Sequence, residues 1–218
     1  PPEVLQVLAT GATIRHQVTV PEGLTVEQVA TLFAGQGWVG RDRFLALARD
    51  PGFLRGLGIG VEHLEGYLFP ETYTLDRQET DEASVLRLMV AQFEREWATI
   101  RPAEPGPMTR HQLVTLASIV EKETGVAEER PLIARVFLNR LQHNMRLQSD
   151  PTVIYGIPDF TGNLTRAHLR QATPYNTYVI PALPPGPICN PGRAALEAVL
   201  RATDANALYF VSKNDGTH

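Results

Sequence analysis

Apolar residues at helical spacing mark the centre of the chain. Four of them recur at intervals of three and four residues: Leu113, Leu116, Ala117 and Val120. Thr109 with Gln112 three residues later has the form of a capping box, and Gly125 is a typical helix stop. The pattern predicts a helix that begins after Thr109 and ends before Gly125.

Spacing and capping residues predict most of the other elements in the same way. Further helices are predicted at Glu3–Ala9, Val26–Phe33, Arg41–Arg49, from the Asp81 cap to Trp97, across Ile133–Leu141, at Arg166–Arg170 and at Arg193–Arg201. Strands are predicted at Ile14–Val20 and Leu208–Ser212. Asp50-Pro51 is predicted to end one helix ahead of a glycine-rich connection, and Asp150-Pro151 to break any helix in the β-rich run Met145–Tyr155.

Glu123 stands out chemically in the central helix. At 100° per residue it falls beside Leu116 and Val120 on the apolar face, while Lys122 points away and Glu121 lies on the flank. Partial desolvation and the negative end of the helix dipole both disfavour a carboxylate there. Together they are expected to raise the pKa of a glutamate from about 4.3 toward the 6 to 7 that suits a general acid.

The residues alone leave a structural interpretation open. Glu121 and Glu123 are equally compatible with solvated charges at a helix end, balanced by Lys122, Arg130 and Arg135. Substitution of each glutamate by glutamine, followed by an activity assay, distinguishes the two interpretations.

Polar side chains after the central helix suit a neutral hydroxylated ligand. The candidate binding residues are Gln148, Asp150, Thr152 and Tyr155, the cluster Tyr175, Asn176, Thr177 and Tyr178, and Glu71. The proline-rich run Pro181–Pro191 behind this cluster is typical of a stiff cleft wall. Glu65 and Glu71 either line such a cleft or bind backbone amides structurally.

Composition narrows the classes of function. The 218 residues suffice for one or two domains, and 43% hydrophobic with 20% charged residues is ordinary for a globular chain. A net charge of −4 gives no basic footprint for nucleic acid. A single cysteine, Cys189, excludes an internal disulfide, and no apolar run reaches the length that spans a bilayer.

Other catalytic signatures are missing from the sequence. The six histidines are scattered without an HExxH or CxxC pattern, so neither a metal nor another cofactor is predicted. A GxSxG elbow and a Walker loop are also absent, which counts against α/β-hydrolase and P-loop chemistry.

Seven separate segments carry distinctive motifs: Glu65–Tyr73, Leu116–Thr124, Phe137–Leu141, Met145–Gly156, Pro174–Tyr178, Leu183–Ile188 and Tyr209–Val211. Together these segments resemble the YceG-like family, the endolytic murein transglycosylases. The resemblance covers roughly the last three-quarters of the chain well and the first quarter loosely. On the family's pattern, Glu123 takes the catalytic position.

The resemblance implies an α+β fold in two parts. A small N-terminal LysM-like βαα(β) module is expected over residues 1–60, and a mixed helical catalytic domain with short strands over residues 61–218. Members of the family carry a single N-terminal transmembrane anchor, so an anchor that precedes Pro1 and an extracytoplasmic location at the bacterial membrane are expected. The family also has further polar sequence after the position of His218, and residues from that tail are expected to be missing here.

The implied reaction is cleavage of the β-1,4 bond between N-acetylmuramic acid and N-acetylglucosamine inside peptidoglycan strands. It leaves a 1,6-anhydromuramoyl end, because the sugar supplies its own nucleophile, so one glutamate acts first as acid and then as base. Peptidoglycan is the implied substrate, and peptidoglycan synthases are the implied partners.

Two alternatives from other classes remain open at this point. A hydrolase would need a second carboxylate, for which Glu71, Asp150 and Glu65 are candidates. A glycan-binding or scaffold module would bind strands and leave their length unchanged.

Overall fold

The structure, a computed structural model, describes residues 15–101 and 106–211. Its elements in chain order are β1 (Arg15–Thr19), α1 (Val26–Gly35), α2 (Arg41–Leu47), α3 (Pro51–Leu57), β2 (Thr72–Asp76), α4 (Glu82–Ile100), α5 (Arg110–Glu123), a 3-10 turn (Ala127–Glu129), α6 (Arg130–Gln142), α7 (Asp150–Tyr155), α8 (Arg166–Arg170) and α9 (Arg193–Leu200). The predicted helix Glu3–Ala9 lies outside the described residues. Within those residues, no helix is both long and apolar enough to cross a membrane.

The two strands form one antiparallel sheet, in which Arg15 pairs with Asp76 and Thr19 with Thr72. Mixed helices and short strands agree with the predicted α+β class. The partner of β1 comes after residue 60, and the arrangement does not show a LysM-like module. The boundary at residue 60 stays a prediction.

Helix α4 joins two hydrophobic clusters. Its first half packs with β1, β2 and helices α1 to α3, whereas Phe93 and Trp97 of its second half pack with α5, α6 and α9. Asp81 caps α4 through a capping box with Ser84, as an aspartate at this position predicts. The two clusters meet along one continuous helix.

Helix α5 is surrounded on all sides. The capping box of Thr109 and Gln112 is present, and every residue from Val114 to Val120 is buried. Its two buried hydroxyl residues are satisfied locally, since Thr115 donates to the carbonyl of His111 at 2.7 Å and Ser118 to that of Thr115 at 2.7 Å. The helix begins and ends as predicted, but it has no solvent face along its middle turns.

The predictions at two prolines are only partly right. Asp50 caps α3 by accepting the backbone N–H of Phe53 at 2.6 Å, and Pro51 occupies the first turn. Pro151 likewise lies in the first turn of α7. Proline is tolerated there because the first N–H groups of a helix have no intrahelical acceptor. Helix α2 does end before Asp50, as predicted, but the expected glycine-rich connection begins with α3, and the expected β-rich run contains α7.

The predicted strand Leu208–Ser212 is also wrong, since residues 208–211 form no strand. Side chains of α6 hold this segment instead. Asn139 donates to the carbonyls of Ala205 and Ala207 at 2.8 and 2.9 Å. Arg140 donates to those of Leu208 at 2.8 Å and Leu147 at 2.6 Å. The segment is fixed by side-chain donors rather than by a sheet.

Asn190 ties three distant segments together. Its Oδ1 accepts the backbone N–H groups of Gly66 and Leu68, each at 2.9 Å, and its Nδ2 donates to the carbonyl of Leu24 at 2.9 Å. Asn190 does not cap α9, because the N-cap of that helix is Gly192. The buried Asn190 amide therefore links the segments at Leu24 and Gly66 to its own segment.

Loss of the hydrogen bonds made by the Asn190 side chain should destabilise the fold. We expect Asn190→Ala to lower the free energy of unfolding by about 2–4 kcal/mol, because two buried N–H groups lose their acceptor. Urea denaturation measures the change. The exposed Asn163 offers a matched control, and Asn163→Ala should stay within about 0.5 kcal/mol of wild type. Equal midpoints for the two variants would contradict the assignment.

Candidate active site

The last turn of α5 holds two glutamates in different surroundings. Glu121 has a side chain only 5% exposed, and its Oε1 accepts from Nη2 of Arg130 at 2.8 Å. Its Oε2 accepts the backbone N–H of Gly192 at 3.0 Å. Burial raises the pKa of Glu121, while the Gly192 amide and Arg130 oppose the rise. Glu121 is therefore paired with Arg130, one of the cations of the structural interpretation, but it is covered rather than solvated.

Glu123, the last residue of α5, is half-buried, and its Oε1 accepts a hydrogen bond from the Ser149 hydroxyl. Ser149 is 1% exposed and caps the start of α7. Sequence reasoning missed Ser149. The only signal was its position between the candidates Gln148 and Asp150, because the contact joins residues 26 positions apart.

A buried hydroxyl network positions Ser149. Its backbone N–H donates to Oγ1 of Thr177 at 2.9 Å, and the Thr152 hydroxyl donates to its carbonyl at 2.6 Å. Thr152 and Thr177 contact each other at 2.8 Å between their Oγ1 atoms, and both are fully buried. These two predicted binding residues thus bond to protein atoms and orient the Ser149–Glu123 pair.

Three of the predicted binding residues lie at the surface near this pair. Tyr178 donates its hydroxyl to Oδ1 of the exposed Asp150 at 2.6 Å. Burial and the hydrogen bond to Asp150 raise the pKa of Tyr178, so its hydroxyl keeps its proton. The exposed Gln148 has a φ of 52°, in the left-handed region that non-glycine residues rarely adopt. This surface offers polar groups to a ligand.

Tyr155 and Tyr175 form a second group at the other end of α7. Their ring centroids are 4.8 Å apart, and the Tyr155 hydroxyl donates to Oε2 of Glu65 at 3.0 Å. Glu65 is 5% exposed and its Oε1 also accepts the backbone N–H of Val26 at 3.0 Å. Burial raises the pKa of Glu65 to about 8, partly offset by the bonds from Val26 and Tyr155. Glu65 and Tyr175 line a cavity of about 510 Å³.

Two further candidates lie away from Glu123 or are enclosed. Asn176 is fully buried, and its Nδ2 lies within hydrogen-bond distance of the carbonyls of His168, Leu169 and Gln171. Glu71 precedes β2 and accepts the N–H of Thr72 at 2.9 Å, so it binds a backbone amide. Among the described residues, these bonds do not join Glu71 to the group around Glu123. Its position gives no support to a substrate role.

In the part of the chain that the structure describes, no group of three or more His, Cys, Asp and Glu side chains is placed to hold a metal ion. The chemistry available at the site is that of carboxyl and hydroxyl groups.

The buried Glu65 should make stability depend on pH. The unfolded carboxyl ionises above about 4.5, whereas the folded one keeps its proton up to about 8, so stability falls as the pH rises through this window. Glu65→Gln removes the titration. We expect the free energy of unfolding of Glu65→Gln, relative to that of wild type, to increase by on the order of 3 kcal/mol from pH 4.5 to pH 7.

Urea denaturation of both proteins at several pH values between 4.5 and 8 measures this difference. Glu71→Gln, a change at an exposed carboxylate, is the matched control and should stay within about 0.5 kcal/mol of wild type. A difference between wild type and Glu65→Gln that is constant with pH would show that Glu65 is ionised in the folded state.

The chain is similar to known proteins over nearly its whole length. The model of the YceG-like family matches residues 1–218. The endolytic murein transglycosylase of Bacillus subtilis (strain 168) is 33% identical over 229 residues, which cover 98% of this chain and 64% of that protein. The endolytic murein transglycosylase of Streptococcus pneumoniae (serotype 2, strain D39) is 32% identical over 241 residues, with 96% of this chain and 44% of that protein covered.

Structural similarity agrees with the sequence matches. The crystal structure of a YceG-like protein from Listeria monocytogenes superposes with a TM-score of 0.77 at 31% identity and covers 98% of this chain and 76% of that one. The chain thus spans only part of the relatives that it matches. Matching motifs, a whole-chain family match and a shared fold lead to one conclusion: the chain belongs to the YceG-like family.

Proposed function

We propose that this protein is an endolytic lytic transglycosylase of peptidoglycan. It cleaves the β-1,4 bond between N-acetylmuramic acid and N-acetylglucosamine within a strand and leaves a 1,6-anhydromuramoyl end. The observation that carries the proposal is the half-buried Glu123, held by Ser149 in a chain whose relatives are named endolytic murein transglycosylases.

Glu123 acts twice in the proposed reaction. It first gives its proton to the glycosidic oxygen as the bond to the muramoyl C1 breaks, with assistance from the sugar's N-acetyl group. The resulting carboxylate then takes the proton of the C6 hydroxyl as that oxygen bonds to C1. Glu123 ends protonated, as it began, and no water is consumed. A single carboxyl group is sufficient because the substrate supplies the nucleophile.

Glu121 is unsuited to this role. Both of its oxygens are engaged, one by Arg130 and the other by Gly192, and its side chain is almost completely covered. A glycosidic oxygen has to come within about 3 Å of the acid that protonates it. The surroundings of Glu123 favour it over its neighbour.

Gln148, Asp150 and Tyr178 are the proposed contacts to the strand near the bond that is cleaved. They are polar, they lie at the surface beside Ser149, and uncharged sugar hydroxyls bind well to such groups. Thr152 and Thr177 act through Ser149, because their own hydroxyls are enclosed.

The cellular setting is part of the same proposal. A peptidoglycan strand is outside the cytoplasm, so the protein is placed at the extracytoplasmic side of the bacterial membrane, with an N-terminal anchor in the full-length protein. Peptidoglycan synthases are the proposed partners, and an N-terminal glycan-binding module of LysM type is proposed for residues 1–60.

Hydrolysis is the second candidate function, and Asp150 is the residue that keeps it open. Glu65 and Glu71 bind backbone amides, whereas Asp150 is exposed and directly follows Ser149. A hydrolase would use such a carboxylate to activate water or to form a glycosyl intermediate.

Products from purified peptidoglycan distinguish the two candidates. We expect mass spectrometry to find new ends that are lighter by one water than reducing ends, because the C6 oxygen closes the anhydro ring. Asp150→Asn should leave this product type unchanged. Reducing ends as the main product, lost in Asp150→Asn, would establish hydrolysis instead.

Substitutions around Glu123 test its role. We expect Glu123→Gln to lower the turnover number by about 10²–10⁴-fold, because the proton donor is lost. Ser149→Ala should lower it by roughly tenfold or more with little change in KM, because the carboxyl loses the hydrogen bond that orients it.

Glu121→Gln is the matched control, measured at a temperature where circular dichroism shows the variant folded. It should keep activity while losing stability, because the change breaks a buried ion pair. Activity that disappears in folded Glu121→Gln and survives in Glu123→Gln would reverse the assignment.

A further inference from the structure

The cavity beside Glu65 is separate from the Ser149–Glu123 pair. Its volume is about 510 Å³, and its lining includes Gly60, His63, Glu65, His111, Tyr175 and Gly186. Glu65 and Tyr175 connect it to α7 through Tyr155. Helix α7 runs from the Ser149 cap to Tyr155, about 9 Å at 1.5 Å per residue. One helix therefore links the cavity to the proposed catalytic group.

The two most buried polar groups of the cavity are uncharged near pH 7. Burial raises the pKa of Glu65 to about 8, and burial lowers that of His63 to about 4. His63 accepts the backbone N–H of Glu65 on Nδ1 at 3.2 Å, so its proton is on Nε2. That Nε2 is buried and has no hydrogen-bond partner among the described residues. Glu65 and His63 thus present neutral polar groups, and the acidic side chain of the exposed Glu62 also belongs to the lining.

The proton of Glu65 has one suitable position. Oε1 accepts from the backbone N–H of Val26 at 3.0 Å and from Nδ2 of Asn190 at 3.3 Å, so the proton belongs on Oε2. Oε2 also accepts the hydroxyl hydrogen of Tyr155 at 3.0 Å.

The lining also includes apolar surfaces. The half-buried Tyr175 ring lies on one side, and Pro185 and Pro187 belong to the stiff segment that flanks Gly186. Sugar rings bind to such surfaces through their C–H faces, while neutral donors and acceptors bind their hydroxyl and amide groups.

We propose that this cavity is a binding subsite for an uncharged N-acetylhexosamine ring of the glycan strand, in the manner of N-acetylglucosamine, and not for the peptide stem. The assignment rests on the proposed function. A stem carries carboxylate groups, and the lining of the cavity holds no arginine or lysine to pair with one, whereas it does hold the acidic side chain of Glu62. The subsite lies along α7 from Glu123, so it holds the strand at a distance from the bond that is cleaved.

A methyl group placed in the cavity tests the subsite. A Cβ at Gly186 would lie 3.5 Å from both Nε2 of His111 and the hydroxyl of Tyr175, so Gly186→Ala fits the fold and reduces the space. Gly56 has nothing within 4 Å of its Cβ position and does not line the cavity, which makes Gly56→Ala the matched control. Both changes are made in the Glu123→Gln protein so that cleavage does not interfere.

The probe is the tetramer of β-1,4-linked N-acetylglucosamine, and calorimetry at pH 6.5 gives its Kd. We expect Gly186→Ala to weaken binding by roughly fivefold or more, because an added methyl overfills the subsite, while Gly56→Ala stays within about twofold. Equal affinities for the two variants, no binding of the tetramer, or a free stem peptide whose binding is weakened by Gly186→Ala would each overturn the subsite.

The pH profile gives a second readout. Tetramer affinity should fall above pH 8 as Glu65 loses its proton, and Glu65→Gln should keep its affinity across pH 6–9, since an amide stays uncharged over this range, as the protonated acid does below it, and its oxygen can accept from Tyr155. The groups that face Glu65 are Glu27, Arg49, His63, Tyr155, Tyr175 and Cys189. The pKa of His63 is lowered and those of both tyrosines and Cys189 are raised, so none of these four titrates in this window.

An identical decline in affinity for Glu65→Gln would overturn the role of Glu65. These outcomes are separate from the proposed function, which fails instead if peptidoglycan is cleaved by Glu123→Gln. A protein that cleaves strands through Glu123 and yet binds the tetramer equally well in both glycine variants would retain the function and lose the subsite.

Discussion

The enclosure of α5 is the constraint on which the rest of the structure depends. Seven successive residues, Val114 to Val120, are buried, so α4, α6 and α9 have to pack around a helix that exposes no side in its middle. Burial of apolar surface on this scale is the dominant stabilising term of a fold. Because α5 is packed on every side, the position of its last turn is fixed, and that turn carries Glu121 and Glu123.

The two glutamates of this turn differ in their chemistry because different residues surround them. Glu121 meets Arg130 and becomes part of a buried ion pair, whereas Glu123 meets a neutral serine hydroxyl. Removal of one partner from a buried pair is costly, so Glu121 serves stability. The hydrogen bond from Ser149 holds the Glu123 carboxyl group in one orientation, and the proposed general acid and base has to be oriented in this way.

Local signals were sufficient for much of the fold. The capping boxes at Thr25, Thr109 and Thr165 are present as their residue types predict, because a cap is decided within four residues. The helices at Pro51 and Pro151 were not predicted, because a proline that follows one helix and a proline in the first turn of another cannot be told apart from the local sequence. Asn190 and Ser149 gave no local signal, since their partners lie far along the chain. The burial of Thr152 and Thr177 depends on such long-range packing too.

The most direct test of this account is a crystal structure of the Glu123→Gln protein with an uncleaved glycan fragment. The account predicts that the side chain at position 123 lies within about 3.2 Å of the glycosidic oxygen between N-acetylmuramic acid and N-acetylglucosamine. Glu121 should remain paired with Arg130 in the same crystal. A strand bound with that oxygen out of reach of position 123, or beside another carboxylate, would contradict it.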